Sequence, residues 1–303
     1  MVLAADIGAT NVRTAIVAGD GSVRHRHSAR TGDDPVPVLL DCLRRSAEAG
    51  ETPRPLGVSI AALGPLDYAA GAIDRGPTLL PGSGPLRLAG PVRAATGLDV
   101  VLERDTTVAA LGEAVFGAAR GYRDFVYLTV SSGIGAAVVL DGRFLTGVHG
   151  QAAEVGHLPL RLDGPRCVCG LHGCLEVLAS GSGIAAAAGD GRDAAAVVAA
   201  AVAGDAVAAR ILGRAREAFA AALVGLVNTF DPGLIVIGGS VALGQGDEFL
   251  DAAREAVRRH AYGAAARETR IVPAALADDA GLIGGVALLA AHPGSPAAQG
   301  LGG

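Results

Sequence analysis

The sequence predicts an α/β protein made of two lobes on one plan. A unit of strand, polar glycine-containing corner and second strand occurs at residues 2–17 and recurs at 125–140. Short apolar runs that read as buried strands alternate with stretches of helical periodicity around these units. At 303 residues, half of them hydrophobic, the chain is long enough for two lobes with cores of their own. A cleft between two such lobes is the expected ligand site.

Taken in order, residues 2–5 form the first strand, 6–11 its corner and 12–17 the second strand. The turn at Gly19-Asp20-Gly21 comes next, with Asp-Gly supplying hairpin chemistry. Residues 36–48 read as a helix, since Val38, Leu39, Cys42 and Leu43 recur at helical spacing. Residues 56–61 look like a buried strand. The stretch from there to Pro91 carries Pro65, Pro77, Pro81 and Pro85 and is expected to be a shaped loop without elements of its own. A short strand at 100–103 runs into Arg104-Asp105, and 106–116 reads as a helix. Strands at 125–130 and 136–140 flank a second corner, Ser131-Ser132-Gly133-Ile134-Gly135. The alanine-rich tract at 194–230 predicts two long helices parted near Gly204-Asp205. Leu234-Ile235-Val236-Ile237 is a buried strand that meets Gly238-Gly239, and 248–260 and 280–291 are helices.

With 3% aromatic residues, no Trp and one Met, the cores must be built from Ala, Val, Leu and Ile. A net charge of −5 provides no electrostatic footprint for nucleic acid. The apolar start lacks a basic region and meets Asp6 at once, which makes a poor signal peptide. The most apolar later stretch, 221–239, is interrupted by Asn228, Asp231 and Pro232, which a membrane span tolerates badly. The expectation is a soluble cytoplasmic protein with neither nucleic acid nor membrane as partner.

The most chemical run is Cys167-Val168-Cys169-Gly170-Leu171-His172-Gly173-Cys174-Leu175-Glu176, which holds three of the four cysteines. Glu154-Val155-Gly156-His157 lies ten residues upstream. Three thiols and one imidazole make a closed tetrahedral zinc site of the structural type. Gly170 and Gly173 suit a chain that must wrap several ligands around one ion. The alternative, buried or disulfide-bonded cysteines, is weaker because only Cys42 lies elsewhere. His172 competes with His157 for the nitrogen position.

Asp6, Gly8 and Thr10 stand where backbone amides and a hydroxyl can cradle phosphate while a carboxylate holds a metal ion. Ser132 and Gly133 offer a second such corner. Each also reads as an ordinary turn. Gly238-Gly239 suits either a flat adenine ring against bare backbone or close helix packing. Asp105, before a helix, reads on its own more readily as an N-cap.

The zinc run and the two corners occur together, in one order, along nearly the whole chain. In this the sequence resembles the ROK family of sugar kinases, repressors and open reading frames, its glucokinase-like members in particular, within the actin and hexokinase-like ATPase superfamily. The resemblance is carried by Glu-x-Gly-His at 154–157 and Cys-x-Cys-Gly-x-x-Gly-Cys-x-Glu at 167–176. Further matches are Ala62-Leu63-Gly64-Pro65-Leu66-Asp67, Asp105 with Ala109-Ala110-Leu111-Gly112-Glu113, and Asp231-Pro232 leading to Gly238-Gly239.

The resemblance implies a two-lobed actin-like ATPase fold (ribonuclease H-like), with an interlobe cleft and a structural zinc site. The small lobe is expected over 1–115, joined by a C-terminal helix at about 288–303, and the large lobe over 116–287. The implied activity is ATP-dependent phosphorylation of a sugar hydroxyl, with Asp105 as general base. ATP and Mg²⁺ fall to Asp6, Gly8, Thr10, Ser132, Gly133, Gly238 and Gly239. The sugar falls to Gly64, Thr78, Arg104, Asp105, Glu154, His157 and Glu176, and Zn²⁺ to His157, Cys167, Cys169 and Cys174. Glu154 and Glu176 have a plainer reading as groups that orient the metal ligands. A homodimer or homotetramer is expected from the same resemblance.

Several positions depart from the family pattern. Arg104 stands where Asn usually precedes the catalytic Asp, Pro77-Thr78 where Pro-Asn is usual, Ala9 where a second Gly is usual, and Ser131-Ser132 where Gly-Thr is common. Exchanging two amides for a guanidinium and a small hydroxyl weakens the fit to plain glucose. The expected acceptor is a modified sugar, a cyclitol or an acid-bearing polyol. Arg104 either pairs with an anionic group or turns outward. Glucokinase proper and a non-catalytic sugar-binding or regulatory relative are the rivals. A DNA-binding repressor is disfavoured because the phosphate corner begins at Asp6, and a zinc hydrolase because all four metal positions are filled by protein.

Overall fold

The computed structural model describes residues 1–48, 54–74 and 84–292. Thr78 and the part of the expected terminal helix beyond 292 lie outside them. The chain divides into two units, Met1–Gly121 with the chain from Ala275 onward, and Tyr122–Ala274.

Unit 1 begins with β1 (Val2–Ile7), β2 (Asn11–Val17), β3 (Val23–Arg30), α1 (Pro35–Ala47) and β4 (Val58–Ala62). A small three-stranded sheet comes next, made of β5 (Leu66–Asp67), β6 (Ala72–Ile73) and β7 (Leu86–Arg87). Then come α2 (Ala89–Thr96), β8 (Val100–Arg104) and α3 (Asp105–Phe116). The main sheet runs β3-β2-β1-β4-β8, with β1, β4 and β8 parallel and β1-β2-β3 an antiparallel meander. Alternation along β1 sends Leu3, Ala5 and Ile7 into one core with Leu39 and Leu43 of α1, and Ala4 into another with Leu282 and Ile283. Asp6 therefore points to the face of the second core, at the C-terminal end of a parallel strand.

Two sequence expectations change here. β3 escapes the apolar pattern because its residues are mostly exposed. The proline-rich stretch holds the small sheet and α2, which begins before Pro91. That proline sits in the first helical turn, where a missing N–H forfeits no intrahelical bond.

Unit 2 contains β9 (Phe125–Val130), β10 (Ile134–Leu140), β11 (Arg143–Phe144), a 3₁₀ turn at Val155–His157, α4 (Leu175–Ala179), α5 (Gly181–Ala188), α6 (Ala194–Val202), α7 (Ala206–Phe230), β12 (Leu234–Gly238), α8 (Ser240–Leu243), α9 (Asp247–His260), α10 (Ala265–Glu268) and β13 (Arg270–Pro273). Its sheet order, β11-β10-β9-β12-β13, repeats that of unit 1. The alanine tract is one short helix and one of 25 residues. Asp205 accepts the Val207 and Ala208 N–H groups and so starts the long one. Its buried face, with Leu212, Phe219, Leu223 and Leu226, meets Phe249 of α9, the Phe219 and Phe249 ring centroids 4.8 Å apart. No single described helix is long and apolar enough to cross a membrane.

The chain returns to unit 1 as α11 (Ala280–Ala291). It packs on α3 so closely that a Cβ added to Gly284 would lie 1.8 Å from the Val108 carbonyl oxygen. Glu113, fully buried on α3, accepts N–H groups from Ala118 at 2.7 Å, Ala275 at 3.2 Å and Leu276 at 2.9 Å. This carboxylate holds the returning strand-to-helix segment to α3. The units consequently divide after 121 and after 274, whereas the sequence suggested 115 and 287.

Replacing Glu113 by Ala leaves three part-buried N–H groups without their acceptor. We expect a loss of at least about 3 kcal/mol in denaturant unfolding, with Glu113→Gln recovering part of it.

Candidate active site

His157, Cys167, Cys169 and Cys174 bring one ligand atom each to within 4.8 Å of one another. Cys167 Sγ lies 3.7 Å from His157 Nδ1, and Cys169 Sγ lies 3.7 Å from Cys174 Sγ. A tetrahedral zinc ion sets sulfur–sulfur edges of about 3.8 Å and nitrogen–sulfur edges of about 3.6 Å, so the donor set fits such an ion. Burial and the neighbouring sulfurs push the Cys174 thiol up to about 12, as expected where a thiolate needs a cation beside it. His172 is not in the cluster; its Nδ1 lies 3.0 Å from the Gly164 carbonyl. The choice between the two histidines, open in the sequence, falls to His157.

The loop is shaped by backbone. Cys167 N–H donates to Leu171 O, and Gly170 N–H to Cys167 O. Gly173 has φ +61°, and a Cβ there would lie 1.7 Å from the Arg161 carbonyl oxygen, so no other residue fits. A bridge between Pro159 and Cys174 pairs the segments that carry the first and last ligands.

Beside this cluster lies the second glycine corner. Glu176, in the first turn of α4, accepts the Ile134 N–H through Oε2 at 3.0 Å, against Gly133. Ser131 O and Ser132 O accept N–H groups from Gly181 and Ser182 at the start of α5. Ser131 Oγ accepts Ser240 N–H at 3.3 Å, joining the corner to the segment after Gly238-Gly239. The Ser132 residue itself is exposed. Gly239, at φ +92°, has no room for a Cβ, which would lie 2.3 Å from Val130 O. Close packing therefore suffices to explain that glycine. Glu154 is exposed and immediately precedes the 3₁₀ turn that delivers His157, its backbone carbonyl accepting the His157 N–H at 3.0 Å.

In unit 1, Asp6 is the last residue but one of β1. Burial, opposed by Arg13 and reinforced by Asp278, raises its carboxyl from 3.8 to about 6. Arg13 Nη1 lies 3.9 Å from Asp6 Oδ2 and donates to Asp278 O at 3.0 Å. Such an incompletely compensated carboxylate fits a divalent cation. Gly8 O accepts from Thr31 Oγ1 at 2.7 Å, which fixes the corner, and Thr10 is exposed. Arg13, Asp278 and Thr31 escaped sequence reading because only folding brings them to the corner.

Asp105 opens α3 at the end of β8, and its Oδ1 accepts the Thr106 N–H at 2.7 Å. The Arg104 side chain passes over Gly64, where an added Cβ would lie 3.5 Å from Arg104 Nε. Two residues assigned to the sugar thus meet. Glu103 Oε1 accepts both the Arg104 N–H at 2.7 Å and the Tyr68 hydroxyl at 2.6 Å, and burial together with that bond pushes the Tyr68 phenol up. The Tyr68–Glu103 pair was not apparent in sequence, since 35 residues separate its members.

Residues 2–292 match the ROK family. The chain belongs to this family. It is 36% identical to the N-acetylmannosamine kinase of Citrobacter koseri, over 95% of this chain and 98% of that one. It is 29% identical to the glucokinase of Thermotoga maritima, over 95% and 96%. Among solved structures, the ROK family glucokinase of Streptomyces griseus in complex with glucose and AMPPNP shares 28% identity at a TM-score of 0.81, covering 95% of this chain and 98% of that one. The fold is the two-lobed ROK kinase fold, as the sequence suggested.

Two outcomes test this chemistry. Metal analysis should find one zinc per chain, and Cys169→Ser should lose it and unfold at a lower temperature. The folded Asp6 carboxyl titrates at about 6 against 3.8 unfolded, so its ionisation costs stability above pH 6 and nothing below 3.8. Asp6→Asn should therefore raise the unfolding midpoint at pH 7.5, and the gap from the parent should close as pH falls through 6 towards 4.

Proposed function

We propose that this ROK family member is an ATP-dependent kinase that phosphorylates a hydroxyl of a modified hexose, with N-acetylmannosamine as the first acceptor to try. The observation that carries the reading is Asp105, a carboxylate held by the Thr106 N–H at a strand-to-helix junction beside Arg104 and Gly64. Asp105 takes the proton of the sugar hydroxyl as its oxygen attacks the γ-phosphorus. The new O–P bond forms, the bond from phosphorus to the ADP oxygen breaks, and ADP leaves.

Mg²⁺ supplies charge neutralisation on the phosphate oxygens. Asp6 is the residue to hold it, with Gly8, Thr10, Ser132 and Gly133 offering amides and hydroxyls to phosphate, and Gly238-Gly239 bordering the adenosine. His157 turns Nδ1 to the cysteines, which leaves Nε2 for a sugar hydroxyl, fixed in direction by the zinc we assign to the cluster. Glu154 and the second oxygen of Glu176 are the accompanying acceptors.

The acceptor is argued from Arg104. A guanidinium offers donors only, where Asn offers a donor and an acceptor, and this suits an acceptor-rich substituent such as an acetamido carbonyl or a carboxylate. The greater identity to the N-acetylmannosamine kinase than to the glucokinases points the same way. Glucokinase proper remains the second reading, on those same relatives.

In a coupled ADP assay with Mg-ATP, N-acetylmannosamine or another substituted hexose should turn over with kcat/KM above that for glucose. Asp105→Asn should lose at least about 10²-fold, and Arg104→Asn should move the ratio towards glucose. Equal turnover of both sugars by parent and Arg104→Asn would remove Arg104 from specificity, and absence of ADP formation with every sugar would remove the kinase reading.

A further inference from the structure

The zinc cluster sits against Ile134, the residue between Gly133 and Gly135 in the corner assigned to phosphate, and holds its backbone from two sides. On one side Glu176, two residues after the ligand Cys174, accepts the Ile134 N–H at 3.0 Å. A Cβ on Gly133 would lie 2.7 Å from that same carboxylate oxygen, so the corner is moulded to it. On the other side Gly156, one residue before the ligand His157, packs on the Ile134 carbonyl, where an added Cβ would lie 2.2 Å from the oxygen. The two gripping segments are tied together by the Pro159–Cys174 bridge and by Leu175 N–H donating to Leu158 O at 2.9 Å.

We infer that the zinc loop is a clamp on the phosphate corner, with Glu176 as a positioning residue for nucleotide binding in addition to any contact with sugar. The metal fixes where His157 and Cys174 lie. Those positions fix Gly156 and Glu176, and these fix the Ile134 peptide and the amides beside it. The starts of α5 and α8 hold Ser131 and Ser132 from the far side, so the clamp governs the Gly133–Gly135 half of the corner. The inference rests on the kinase reading, because it takes this corner as the one that receives phosphate.

The test is titration of AMPPNP into parent, Glu176→Gln and Glu176→Ala proteins, each with zinc bound, and into parent stripped of zinc by a chelator. Amide hydrogen exchange of residues 131–136 is followed in parallel, without nucleotide. The Gln side chain still offers an oxygen to Ile134 N–H, whereas Ala does not. Glu176→Ala and the stripped parent should bind AMPPNP about tenfold more weakly, the effect of one lost hydrogen bond, and exchange faster at Ile134. Glu176→Gln should stay within about twofold of parent for AMPPNP on the same argument, even where its KM for sugar rises. Unchanged AMPPNP affinity and exchange in both Glu176→Ala and stripped parent overturn the clamp and leave the kinase reading standing. Should Glu176→Ala fail to fold, the stripped parent decides the matter. Parent protein that binds no AMPPNP overturns both readings together.

Discussion

Backbone lying directly on backbone is the constraint on which the rest of this structure depends. α11 reaches α3 only because Gly284 has no side chain to strike Val108 O, and the metal loop reaches β10 only because Gly156 has none to strike Ile134 O. Such contacts explain how a chain with 3% aromatic residues fills its cores: the elements approach until Ala, Val, Leu and Ile suffice to occupy the space between them. They also make the corners stiff, because a peptide pressed against another peptide has little room to move.

Three carboxylates show how differently one functional group is used once the fold has placed it. Glu113 is wholly enclosed and accepts three N–H groups from its own unit, which makes it a structural acceptor. Asp6 is largely enclosed with only partial relief from Arg13, and this burial raises its carboxyl to about 6. Glu176 lies between these extremes, half-buried with one oxygen committed to the Ile134 N–H.

The two units repeat one sheet order and diverge after the hairpin. In unit 1, β3 extends the meander and α1 covers it. In unit 2, β11 is two residues long, and the chain departs into the 3₁₀ turn and the cysteine loop. The duplicated plan thus carries a glycine corner twice, and among the described residues the Cys/His cluster stands behind the second copy.

Much of this was legible in the chain itself. The paired corners, the helix at 280–291 and the grouping of Cys167, Cys169 and Cys174 all arise from local pattern, because glycine placement, apolar period and thiol spacing act over a few residues. The sequence left open which histidine completes the cluster, and it concealed α2 behind Pro91 and β3 behind its polar surface. The partnerships of Glu113 with Ala275, Arg13 with Asp6 and Glu176 with Ile134 were decided only by tertiary structure. Burial and hydrogen bonding between distant segments depend on where the chain returns, and no local spacing encodes that.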